Sequence, residues 1–125
     1  MNSFVLKGQI CTSASMDEIE ITENGFLVVE DGIVRGVFRT LPSRFAELPL
    51  QDCGGCLIVP GMTDLHVHAP QFAFREGYEA DIVVLDDSTL DHPQELSVRA
   101  RLERFVYLAD ERCIRERYVA GEKVL

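Results

Sequence analysis

The chain has no tryptophan, three histidines, few basic residues and no long apolar run. Lys and Arg total 12 against 21 Asp and Glu, a formal net charge of −9. Nucleic acids and anionic membranes bind clustered Lys and Arg, so we expect neither as a partner. No stretch reaches the roughly 18 apolar residues of a membrane-spanning helix, and the N-terminus lacks a signal-peptide layout. We therefore expect a cytoplasmic protein.

The length of 125 residues corresponds to a single domain. Hydrophobic residues make up 46% of the chain and charged residues 26%, which are ordinary values for a globular protein. A (β/α)₈ barrel needs about 250 residues and cannot be formed by this chain.

Four cysteines are present, and two of them, Cys53 and Cys56, have the C-x-x-C spacing of zinc or redox sites. The other two, Cys11 and Cys113, do not supply the second pair that a zinc ribbon requires. A redox C-x-x-C motif is expected near a βαβ pattern, whereas Cys53 and Cys56 precede an apolar strand. We expect ordinary reduced thiols, with metal binding and redox chemistry as alternatives.

Short apolar runs separated by turn residues predict a mainly β fold. Asp31-Gly32 and Ala120-Gly121-Glu122, each between two such runs, predict hairpins, and residues 23–25 and 52–55 predict turns. Apolar residues at helical spacing over 98–109 predict one amphipathic helix. The expected architecture is a small β-sandwich with one C-terminal helix.

The candidate site lies in Leu57–His68, where Asp64, His66 and His68 alternate along a predicted strand and share one face. Two imidazoles form only part of a metal site, because a catalytic zinc usually needs a further protein ligand. His92, in an Asp-His-Pro turn, is the remaining histidine. A three-histidine site, weak adventitious binding and no bound metal all remain open.

The pattern Pro-Gly-x-x-Asp-x-His-x-His over 60–68 resembles the opening of the metal-binding barrel in the amidohydrolase superfamily. Further stretches resemble that family in the same order along the chain: 25–37, 52–68, 77–86 and 119–124. The resemblance implies a single composite β-sandwich domain over 1–125. It would be built from an N-terminal piece of about 1–70 and a C-terminal piece of about 77–125, with the barrel between them missing.

Within the superfamily, His68-Ala-Pro-Gln71 resembles a segment of guanine deaminases in which the glutamine contacts the purine. The resemblance implies hydrolysis of guanine to xanthine and ammonia, with zinc or iron bound by His66 and His68 in the full-length family. The remaining ligands and the general acid/base belong to the missing barrel. We therefore expect His66 and His68 to be a vestigial half-site with no metal or a weakly bound one, Gln71 to have no purine pocket, and the chain to contain no catalytic residue.

Three functions are compatible with these features. The chain is a non-catalytic domain of a guanine-deaminase-like hydrolase, a small metal-binding module using the histidine pair, or an assembly module that self-associates or complements a separate barrel. The predicted strand Asp64–His68 would have open edges, which recruit other strands. We therefore expect this segment to be disordered or to pair across a homodimer interface.

Overall fold

A computed structural model describes residues 2–13, 19–61, 74, 76–88, 96–108 and 113–124. The strands are β1 (Phe4–Ser13), β2 (Ile19–Glu30), β3 (Ile33–Phe38), β4 (Leu50–Pro60), β5 (Ile82–Leu85), β6 (Ile114–Val119) and β7 (Glu122–Lys123). One α-helix, α1, spans Val98–Leu108, and a 3₁₀ turn spans Ser43–Phe45. The predicted strand at 64–68 lies outside the described residues.

The strands form a seven-stranded sheet in the order β3-β2-β1-β4-β5-β6-β7. Strands β1 and β4 pair in parallel, and every other neighbouring pair is antiparallel. The N-terminal piece supplies β1 to β4 and the C-terminal piece supplies β5 to β7, so the two pieces join along the β4–β5 ladder. The prediction of a small, mainly β fold with one helix is confirmed.

The sheet folds over on itself, so that strands distant in the sheet order make contact. The rings of Phe4 in β1 and Tyr118 in β6 lie 5.0 Å apart between centroids, although two strands separate β1 from β6. The β2–β3 and β6–β7 turns also meet, because a Cβ added to Gly121 would lie 2.6 Å from the Cα of Gly32. The enclosed face carries the largest apolar cluster, which includes Leu6, Ile10, Leu27, Val29, Val34, Ile58, Ile82 and Val84.

The opposite face is covered in part by α1, whose Val98 and Leu102 pack with Leu57 and Val59 of β4. Because Ile58 belongs to the enclosed cluster while its neighbour Leu57 lies under the helix, β4 is buried on both faces. This explains its continuous apolar sequence. No helix among the described residues is long and apolar enough to cross a membrane.

The predicted turn at Glu23-Asn24-Gly25 is wrong, because β2 continues through it as a bulged strand. The β1–β2 register shifts between Gly8 and Ile10, and Asn24 takes a φ of 51°. The Gln9 side chain fills the gap: its Nε2 donates to Asn24 Oδ1 at 3.0 Å, and its Oε1 accepts from Asn24 N at 3.1 Å. The turn residues therefore mark an irregularity inside the ladder.

A second irregularity lies in β4. Asp52 pairs with Lys7 and Leu57 with Gln9, so residues 53–56 on β4 oppose a single residue on β1. We call residues 53–56 the C-x-x-C loop. Gly54 takes a φ of 61°, and its N–H donates to Asp52 Oδ1 at 2.8 Å. The tight turn expected here is present, but it interrupts a strand instead of preceding one.

Both predicted hairpins are present. Asp31 and Gly32 have φ values of 53° and 78°, and Ala120 and Gly121 have values of 49° and 80°. Positive φ at both central residues is the requirement of a type I′ turn, whose twist matches that of the flanking strands.

Candidate functional site

The segment that carries the histidine pair leaves the sheet at one end of β4. The Gly61 N–H donates to the Asp81 carbonyl at 2.7 Å, directly after the last β4–β5 pair of Pro60 with Ile82. The Asp81 carboxylate in turn accepts from the Ala120 N–H at 2.9 Å. We call Pro60, Gly61, Asp81 and Ile82 the insertion point. It joins the chain before the histidine segment to the chain after it.

The far end of the histidine segment is held by β1 and β3. The Phe74 N–H donates to Thr12 Oγ1 at 2.8 Å, near the end of β1. Gly77 N donates to the Val34 carbonyl at 2.9 Å, and Val34 N donates to the Tyr78 carbonyl at 2.8 Å. The returning chain is therefore fixed against the edge of β3 before it enters β5.

The predicted site residues His66, His68 and Gln71 lie outside the described residues, as do Asp64 and His92. Within the described ranges, no group of three or more His, Cys, Asp or Glu side chains could hold a metal ion. The described residues therefore do not form a metal centre. The assignment of His66 and His68 as metal ligands and of Gln71 as a substrate contact stays a prediction.

Arg101 of α1 joins three parts of the fold that lie far apart in sequence. Its Nε and Nη2 donate to the two carboxylate oxygens of Asp87, each at 2.8 Å, and Nη2 also donates to the Gly55 carbonyl. The two side chains are 18% and 13% exposed, so water competes little with this bidentate pair. Arg101 thus fixes α1 to the end of β5 and to the C-x-x-C loop.

We expect Arg101→Ala to lower the free energy of unfolding by about 2 kcal/mol, because it removes charge-assisted hydrogen bonds in a mostly buried setting. Urea denaturation measures the loss. Arg99→Ala is the matched control, since the exposed Arg99 donates only one hydrogen bond to the described residues, to the Ile19 carbonyl at 2.9 Å. It should cost about 0.5 kcal/mol or less. Equal losses for the two variants would contradict the assigned role of Arg101.

A cavity of about 450 Å³ opens beside the C-x-x-C loop. Its lining comprises residues 52–56, residues 86–88, Arg101 and Arg115. Arg115 Nη1 donates to Cys56 Sγ at 3.3 Å. Burial, with smaller contributions from Glu116 and Cys56, raises the pKa of the Cys53 thiol to about 11. The lining places a thiol pair and two guanidinium groups around one cavity.

Glu116 is a second feature that no sequence motif indicated. This buried carboxylate accepts from Gln51 Nε2 at 2.6 and 2.8 Å, from Tyr118 Oη at 2.9 Å and from Lys123 Nζ at 3.2 Å. Burial alone would raise its pKa, but these donors outweigh burial and hold the pKa below its usual value. Burial and the adjacent Glu116 raise the pKa of Tyr118. The sequence contains one indication of this buried carboxylate, since Glu116 lies between Ile114 and Tyr118 on one side of a strand.

Known proteins resemble this chain over part of its length, although no family model matches it. It is 35% identical to the dihydroorotase of Pelobacter propionicus over 83 residues, covering 64% of this chain and 18% of that protein. It is 31% identical to the adenine deaminase of Methanoregula boonei over 88 residues, covering 69% and 15%. It is 35% identical to the imidazolonepropionase of Cupriavidus metallidurans over 68 residues, covering 47% and 16%.

Among solved structures, the guanine deaminase of C. acetobutylicum with bound guanine aligns with a TM-score of 0.47 at 33% identity. That alignment covers 54% of this chain and 16% of the deaminase.

The matches to the curated relatives cover less than a fifth of those proteins. Dihydroorotase, adenine deaminase and imidazolonepropionase are all amidohydrolases, so the predicted resemblance is confirmed. Over part of its length the chain is therefore similar to members of the amidohydrolase superfamily.

Proposed function

We propose that this chain is the non-catalytic β-sandwich domain of a guanine-deaminase-like, metal-dependent hydrolase. The parent reaction would be the hydrolytic deamination of guanine to xanthine and ammonia. In this proposal the domain holds the two ends of the catalytic segment together and does not itself deaminate guanine. The observation that supports it best is the insertion point, where Gly61 and Asp81 are joined by a 2.7 Å hydrogen bond.

The insertion point is compatible with a domain whose chain is interrupted by a larger catalytic unit. A barrel placed between the histidine strand and the return strand would begin and end at neighbouring positions of one sheet. Closing the chain there without the barrel needs only a short loop, and the entropy cost of closure grows slowly with loop length. The same sheet can therefore form with or without the inserted unit.

Guanine is proposed as the parent substrate because of the segment His68-Ala-Pro-Gln71. A glutamine amide carries both a donor and an acceptor, which complements a purine edge that presents both kinds of group. In the full-length hydrolase Gln71 would contact the base. In this chain it would have no purine pocket around it.

The proposed metal of the parent is zinc or iron, which would activate water as a nucleophile near neutral pH. His66 and His68 would be two of its ligands. The remaining ligands and the general acid/base would lie in the barrel, so in this proposal no step of the reaction is assigned to this chain. Any metal bound by His66 and His68 alone would be held weakly.

The test is ammonia release from guanine by the purified chain, with and without added Zn²⁺ or Fe²⁺. We expect no release above the buffer control, and the same result for the double variant His66→Ala/His68→Ala. Turnover that disappears in the double variant would contradict the proposal. Elemental analysis of the same preparation distinguishes the metal-binding alternative, which requires one tightly held metal per chain that the double variant loses.

The assembly alternative needs a separate experiment. A polypeptide that carries the barrel of a guanine deaminase is mixed with this chain and assayed for ammonia release. Activity restored only by the mixture would favour an assembly module over a solitary domain. Light scattering of the chain alone tests the homodimer predicted through residues 64–68.

A further inference from the structure

We propose that Cys53 and Cys56 form a thiol–disulfide exchange site that reacts with low-molecular-weight disulfides such as glutathione disulfide. The product would be an intramolecular disulfide across the C-x-x-C loop. This inference rests on the loop, the cavity and Arg115, and it does not depend on the proposed function. It selects the redox alternative over the ordinary reduced thiols expected from the sequence.

The bulge in β4 brings the two cysteines close together. The flanking residues Asp52 and Leu57 pair with Lys7 and Gln9 of β1, and two residues along a strand span roughly 7 Å. Cys53 and Cys56 lie just inside those ends, and a disulfide needs Cα atoms about 4.4–6.8 Å apart. Both belong to the same apolar cluster. A disulfide would therefore need little rearrangement of the ladder.

The tip of the loop has room to adjust. A Cβ added to Gly54 or Gly55 would meet no atom within 4 Å, so the space on the Cβ side of both residues is open. Formation of the new S–S bond can be accommodated by these two glycines. The Gly55 carbonyl accepts from Arg101, which couples the conformation of the loop to α1.

The two thiols differ in a way that assigns their roles. Cys56 is 6% exposed and receives a hydrogen bond from Arg115 at 3.3 Å, whereas Cys53 is 1% exposed. A guanidinium donor can pair with a thiolate sulfur, and the thiolate is the nucleophile in exchange. Cys56 lines the cavity beside the loop, and a small disulfide would approach its sulfur from there. Cys56 is therefore the attacking thiol and Cys53 the resolving thiol.

The exchange has two steps. In the first, the Cys56 thiolate attacks one sulfur of glutathione disulfide, its S–S bond breaks, and one glutathione leaves as a thiolate that takes up a proton. In the second, Cys53 loses its proton and attacks the Cys56 sulfur of the mixed disulfide, which releases the second glutathione. Two protein thiols are oxidised, and one glutathione disulfide is reduced to two glutathione molecules.

The first experiment treats the folded chain with glutathione disulfide and maps the modified cysteines by mass spectrometry after rapid acid quenching. The four cysteines, Cys11, Cys53, Cys56 and Cys113, form no disulfide in the structure, and all of them are buried. We expect the Cys53–Cys56 disulfide to form while Cys11 and Cys113 stay reduced. Modification of all four thiols at a common rate would overturn the proposal, since that pattern reports global unfolding.

Variants separate the two roles. Cys53→Ser should accumulate the mixed disulfide at Cys56, and Cys56→Ser should lose the fast reaction. Arg115→Ala should slow the first step by about tenfold, the effect of losing one hydrogen bond to a charged group. Arg117→Ala is the matched control on the same exposed side of β6 and should leave the rate unchanged. Equal rates for both arginine variants, or a mixed disulfide that never resolves in the unsubstituted chain, would contradict the proposal.

Discussion

Replacing Gly121 with alanine is expected to lower the free energy of unfolding by about 3 kcal/mol. Gly121 has a φ of 80°, and a Cβ there would lie 2.6 Å from Gly32 Cα and 3.2 Å from Asn2 Cβ. Alanine at this position therefore has two costs. One is the backbone strain of a positive φ, and the other is a collision between the two turns that meet where the sheet folds over. Urea denaturation measures both together.

Gly54→Ala separates strain from collision. Gly54 also has a positive φ, 61°, but a Cβ there would meet nothing within 4 Å. Only the strain of a left-handed residue remains, so we expect a loss of about 1 kcal/mol. If both glycine variants lose the same amount, the added methyl group at Gly121 causes no collision, which would contradict the close approach of the two turns.

Replacing Glu116 with alanine is expected to cost about 3 kcal/mol, because it leaves the buried Tyr118 hydroxyl and the half-buried Gln51 amide without their acceptor. Gln51 donates to both carboxylate oxygens, and the hydroxyl of the buried Tyr118 donates to one of them. Thermal or urea unfolding tests this loss. Glu122→Ala, at an exposed position of β7, is the control and should change stability by no more than about 0.5 kcal/mol.

The same carboxylate makes stability depend on pH. The pKa of Glu116 is held below its usual 4.5 in the folded chain, so its contribution is fully present above that value. The contribution is lost as the pH falls through the lower folded pKa. We therefore expect the unsubstituted chain to lose more stability than Glu116→Ala on acidification below pH 4.5. Parallel pH profiles would contradict this assignment.

The hairpins and the helix could be predicted from sequence because each depends on local chemistry. Asp31-Gly32 and Ala120-Gly121 supply the positive φ that their turns need, and α1 has an uninterrupted apolar spacing. The same reasoning failed at Asn24, where turn residues form a bulge stabilised by Gln9 on another strand. The residues of one segment do not show whether it will form a turn or a bulge, because that depends on the strand with which it pairs.

The candidate site also combines features that the sequence predicts with features that depend on the folded sheet. The motif that carries His66 and His68 is contiguous, so the resemblance to amidohydrolases can be read from the sequence alone. The Arg101–Asp87 pair and the Gln51–Glu116 pair join residues 14 and 65 positions apart. Such pairs depend on the closure of the whole sheet and leave no local pattern. The insertion point likewise depends on the hydrogen bond between Gly61 and Asp81, which leaves no pattern in the sequence.

Native-state hydrogen exchange tests most directly the central claim that the two pieces of the chain fold as one unit around the insertion point. The amides of Leu27 and Ile58 report on the N-terminal piece, and those of Val84 and Glu116 on the C-terminal piece. We predict that all four exchange with the same free energy, equal to that of global unfolding. Exchange of β5 and β6 at a distinctly lower free energy than β1 and β2 would contradict this claim.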